Sequence, residues 1–90
     1  MKIYKLDEIS KILADEKDEK IIEGFFNSLF TEKEVADISA RWELVKLLDQ
    51  GMSQRNIAKK LGLSLCKITR GSRQLKHRNS PFKYFIDKIR

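Results

Sequence analysis

Eleven Lys and Arg residues fall between Gly51 and Arg90 against a single acid, Asp87, a balance of +10. Residues 1–50 carry 8 Lys and Arg against 12 Asp and Glu, a balance of −4. A cationic half with so little internal carboxylate suits a polyanion, because phosphate neutralisation releases counterions and drives affinity. The bland alternative is a solvated basic face with no partner. The same half holds the segment SQRNIAKKLGLSLCKITRG, which has the spacing of a helix-turn-helix running from Ser53 to Lys76. Ile57 and Leu61 are four apart and face inward from the first helix, and small Ala58 allows a close crossing. Gly62 makes the turn, where positive φ excludes most side chains. Leu63 and Ile68 close the small core between the helices. The second helix is then the one offered to a major groove, with its N-terminal residues nearest the base edges.

Roles follow from position. Leu65, Cys66 and Lys67 form the first turn of the second helix, and Thr69 lies one turn on. Leu65 and Cys66 can make apolar contact with thymine methyls, while Lys67 and Thr69 can reach base edges or phosphate. Leu65 has core packing as its alternative. Gln54 and Arg55 open the preceding helix, where Arg55 suits guanine or a phosphate. Lys59, Arg73, Lys76 and Arg78 read as phosphate contacts. Cys66 alone makes no intrachain disulfide, and its redox reactivity would need a specifically depressed pKa. One Cys and one His, His77, fall short of a metal site. His77 lies in the polar stretch KHRN and reads as a surface residue. No nucleophile has a base partner, no carboxylates pair in a cleft pattern and there is no phosphate loop, so an enzyme is not expected.

The elements that must hold these residues are helices. Ninety residues fit one domain with a modest core, and one Pro and four Gly suit an all-helical chain. Leu6, Ile9, Ile12 and Leu13 predict a first helix near residues 5–15. Ile21, Ile22, Phe25, Phe26 and Leu29 give the buried side of a second, from about 18 to 29. Thr31 with Glu34 is a capping box, so a third helix begins at Glu32 and ends before Gly51. Its apolar positions include Val35, and Ile38, Trp42 and Val45 form one stripe that Leu44, Leu47 and Leu48 widen. Such width suits cover on more than one side, as in a dimer. Ser53 and Ser64 cap helices from Gln54 to Leu61 and from Leu65 to about Lys76. Ser80 with Pro81 opens a last helix whose apolar face is Phe82, Phe85, Ile86 and Ile89. No stretch approaches the roughly 20 apolar residues of a membrane span and the N-terminus has no signal-peptide core, so a cytoplasmic location without membrane contact is expected.

ITRGSRQLK, preceded by MSQRNIAKKLG and, upstream, by SLFTEKEVADISARWELVKLL, resembles the bacterial tryptophan repressor family over about residues 25–80. That repressor is itself a standard example of helix-turn-helix docking. The resemblance implies an all-α, six-helix Trp-repressor-like fold with a helix-turn-helix, forming an intertwined homodimer. Residues 1–90 would be one DNA-binding domain, with 1–52 for dimerisation and core, 53–76 for the helix-turn-helix and 80–90 for the last helix. It implies a repressor that binds double-stranded operator DNA, with L-tryptophan as corepressor beneath the recognition helix and no other cofactor. Carried over by position, Arg70 would bind the ligand carboxylate, Arg41 would stack on the indole and Thr31 would help hold the carboxylate. The carbonyls of Ser28 and Phe30 would accept from the ammonium, and Gly71 would leave room beside the ligand. A guanidinium suits both pairing and stacking. Phosphate contact is the alternative for Arg70, and a salt bridge to Glu43 or Asp37 for Arg41.

This chain departs from the family in four places. Gln74 replaces a serine that helps hold the amino group, and Lys67 replaces a small threonine. The connection around Gln50-Gly51 is one residue shorter, and the N-terminal helix shows no clear match. Gln74 and Lys67 favour an orphan regulator with another effector or none, and, in a different class, the basic half suits a protein-interaction module for an acidic partner.

Overall fold

A computed structural model describes residues 5–89. Residues 1–4 and 90, which the sequence reading includes in the single domain and the last helix, lie outside the described residues. Six helices and no strand are found among the described residues: α1 Leu6–Ala14, α2 Glu19–Leu29, α3 Glu32–Asp49, α4 Gln54–Leu61, α5 Leu65–Lys76 and α6 Pro81–Lys88. The expected all-α, six-helix class is the observed one among the described residues. The chain forms two compact units, residues 1–35 and 36–90, with the boundary inside α3.

Local chemistry sets the helix ends. At α2 the Asp18 carboxylate accepts from Lys20 N–H at 2.9 Å. Thr31 and Glu34 form the reciprocal capping box: Glu34 N–H donates to Thr31 Oγ1 at 3.1 Å, and Thr31 N–H donates to Glu34 Oε1 at 2.9 Å. Ser53, Ser64 and Ser80 accept from Asn56, Lys67 and Lys83 N–H at 3.2, 3.4 and 3.4 Å. Each satisfies a donor that has no partner within its own helix. Gly62 ends α4 at φ 66°, a left-handed conformation that a Cβ disfavours.

The second unit has a true core. Leu44 and Leu47 of α3 meet Ile57 of α4 and Ile68 of α5, with Leu48, Met52, Ala58, Leu61 and Leu63 packed around them. Val45 and Ile86 are also buried. Gly71 is buried in α5, and a Cβ added there would stand 3.2 Å from Leu44 Cδ2. The missing side chain therefore lets α5 lie close against α3.

The apolar faces expected to be covered fare differently. Helices α1 and α2 bury no residue. Leu6, Ile12, Ile21, Phe25, Phe26 and Leu29 are all exposed, while Ile9, Leu13 and Ile22 are half-buried. The rings of α2 instead pack along their own helix, Phe26 stacking on Phe30 with centroids 5.9 Å apart. In α3 the buried residues are Leu44, Val45 and Leu47, whereas Ile38 is exposed and Trp42 half-buried. The expected stripe through Ile38, Trp42 and Val45 is thus buried only at its C-terminal end, at Val45. In α6 Ile86 is buried, Phe82 half-buried, and Phe85 and Ile89 exposed. Periodicity marks an apolar face correctly, but burial also needs a surface to receive it.

Candidate functional site

The second helix of the predicted helix-turn-helix, α5, is anchored by Ile68, Gly71 and Ser72, at i, i+3 and i+4 on its buried face. Around the rest of the helix Lys67, Arg70, Arg73 and Lys76 are all exposed, with Cys66 among them. Leu65 is 58% exposed, which removes core packing as its role. On α4 the anchor is Ile57, and Gln54, Arg55 and Lys59 are exposed around it. The two helices are joined at the surface as well: Thr69 Oγ1 donates to Gln54 Oε1 at 3.4 Å. Each partner in that bond thus helps orient the other. Arg78 and His77 follow α5 and are exposed.

None of these cations is neutralised by an ion pair among the described residues. Glu43, offered as a partner for Arg41, pairs with Lys46 at 3.1 Å. Asp87 pairs with Lys83 at 3.3 Å, and Lys83 also reaches Asp49 at 3.1 Å. The Asp49 side chain is only 9% exposed, so this pair fastens the end of α3 to α6. Glu43, Asp49 and Asp87 are thereby engaged away from α5, and no ion pair of Asp37 with Arg41 is found among the described residues, which leaves the outer face of α5 strongly positive.

Arg41, Arg70, Gly71 and Gln74 line one pocket of about 460 Å³ within the second unit. Its apolar walls are Leu44 and Val45 of α3 and Phe82 of α6. Lys67, read from sequence as a DNA contact, lines this pocket too. Leu44 and Val45 follow Arg41 by three and four residues, so helical spacing could have found them. Phe82 is distant in sequence and had no such signal. Ser28, Phe30 and Thr31 lie in the first unit: Ser28 in the last turn of α2, Phe30 at its C-cap and Thr31 at the start of α3. The hydroxyl and N–H of Thr31 are both used by the capping box.

Residues 4–90 match the family described as Trp repressor protein. The chain belongs to the Trp repressor protein family. The match takes in the N-terminal helix, for which the motifs alone gave no resemblance. The chain is 37% identical over 71 residues to a Trp operon repressor homolog of Chlamydia trachomatis serovar D, covering 78% of this chain and 76% of that one. It is 35% identical over 74 residues to a Trp operon repressor homolog of Chlamydia caviae, covering 81% and 73%. It is also 26% identical over 85 residues to the uncharacterized protein YerC of Bacillus subtilis, covering 94% and 82%. No solved structure matches the chain. In this Trp repressor family member, no helix among the described residues is long and apolar enough to cross a membrane.

Proposed function

We propose that this protein is a transcriptional repressor, not an enzyme, that binds double-stranded operator DNA as a homodimer in the cytoplasm. The observation that carries the reading is the polarity of α5: Ile68, Gly71 and Ser72 face inward while Lys67, Arg70, Arg73 and Lys76 remain exposed. Docked in a major groove, Leu65, Cys66, Lys67 and Thr69 meet base edges, with Gln54 and Arg55 of α4 beside them. Lys59, Arg73 and Lys76 hold phosphates and set register. Residues 1–90 act as one DNA-binding domain, with 1–52 providing dimerisation. The exposed apolar faces of α1, α2 and α6 favour a second copy as their cover.

L-tryptophan is the corepressor under this reading. Arg70 pairs with its carboxylate, Arg41 stacks on the indole, and Gly71 and Gln74 border it. Binding raises operator affinity by the same factor by which operator raises affinity for the ligand. A second reading, an orphan regulator with another effector or none, is favoured by Lys67 and Gln74 in the pocket lining.

Fluorescence anisotropy on a labelled 30-bp duplex tests DNA binding. The logarithm of affinity should fall steeply with the logarithm of salt, and Arg73→Ala should flatten that slope by about 1. A salt-independent signal would overturn the reading. Calorimetry should find L-tryptophan binding at about −7 to −8 kcal/mol, the micromolar range. No heat at millimolar ligand would remove the corepressor and leave the orphan regulator.

A further inference from the structure

The pocket beneath α5 holds more positive charge than a neutral amino acid can answer. Arg41 enters from α3, and Lys67 and Arg70 from successive turns of α5, while no acidic residue lines it among the described residues. None of the three cations forms an ion pair among the described residues. Lys67 and Arg70 are three apart on one helix and so lie on neighbouring positions of one face. Leu44, Val45 and Phe82 line it as well, an apolar wall suited to a flat ring. A zwitterion brings one carboxylate and one ammonium. Its carboxylate engages part of this charge, and its ammonium is repelled by the rest. Two negative charges on one small body engage all of it, and a cleft with low-dielectric walls focuses that preference.

We propose that this pocket takes a second class of ligand, a small aromatic dianion, in competition with the amino acid. The inference rests on the reading of the pocket as the effector site and adds a competitor to it. Lys67 supplies the discrimination: it is the cation that meets the second negative charge, as Arg70 meets the first. Occupancy by such a dianion excludes the corepressor and also withdraws Lys67, a first-turn residue of the recognition helix, from DNA. A dianion therefore lowers affinity for DNA where the amino acid raises it.

The experiment is calorimetry on the full chain without DNA, with matched probes. Isophthalate and phenyl phosphate carry two negative charges on a ring, benzoate carries one, and L-phenylalanine is the zwitterion. At least one dianion should bind 10-fold or more tighter than benzoate and L-phenylalanine, and should displace L-tryptophan wherever L-tryptophan binds. Lys67→Thr should bring that dianion to within 2-fold of benzoate, with helicity by circular dichroism unchanged. Lys60→Thr, which removes an exposed charge that does not line the pocket, should leave the advantage intact. The proposal is overturned if benzoate or L-phenylalanine equals both dianions, if Lys67→Thr preserves the advantage, or if inorganic phosphate binds as tightly as phenyl phosphate. Failure of the parent reading looks different. A dianion that binds where L-tryptophan does not removes the corepressor but keeps this inference, and L-tryptophan binding without either dianion does the reverse.

Discussion

Helices α2 and α5 are nearly equal in length, 11 and 12 residues, and both are amphipathic, yet they use their faces in opposite ways. In α5 the apolar side is inside, pinned by Ile68 against Leu44, Leu47 and Ile57, and the cationic side is outside. In α2 the apolar side itself is outside, with Ile21, Phe25, Phe26 and Leu29 exposed. The difference lies in what the surrounding chain supplies. Three helices converge on α5's unit core, while the first unit offers α2 no surface that buries a residue. An apolar stripe specifies a face that must be covered; whether its own chain covers it is a separate matter. The second unit encloses the apolar side of α5, and the first leaves the apolar side of α2 exposed.

The sharpest way to break this contrast is a pair of core truncations. Ile68→Ala should destabilise the fold by about 2–5 kcal/mol in urea unfolding, because Ile68 is fully enclosed and little can relax into the space. Phe25→Ala should do far less in dilute protein, with its effect growing as concentration rises and copies associate. An equal loss at every concentration would mean that the same chain covers α2, and the contrast would fail. Next in size is the turn before α5. Gly62→Ala places a Cβ at φ 66° and should cost about 1–2 kcal/mol, read from the same unfolding curves. The smallest effect compares caps across the two units. Ser64→Ala and Thr31→Ala should each cost about 1 kcal/mol, since a cap satisfies its donor locally whatever covers the rest of the helix. A cost near zero at Thr31 alone would show that the first unit contributes little to the measured transition.

Much of the fold was legible because it is local. Capping side chains, Pro81 and Gly62 act within a few residues, so helix ends from Glu32 to Pro81 follow from sequence. The site was legible in part. Arg41, Arg70, Gly71 and Gln74 were reached through family resemblance, and they line one pocket. The presence of Lys67 there carries no signal in the sequence, because residue 67 is at once exposed in the first turn of α5 and part of the pocket lining. Phe82 and the Asp49–Lys83 pair join residues far apart in sequence, and neither carries a periodic signal.

By itself the sequence determined six helices, the caps of α3 to α6, the turn between α4 and α5 and the gathering of positive charge in the C-terminal half. These depend on backbone geometry and residue type over short spans. Tertiary structure alone decided which apolar faces are enclosed, which acids are drawn away from α5, and which three cations share one pocket. Those outcomes depend on where distant helices meet, and hydrophobic burial, being non-directional, does not encode its own partner.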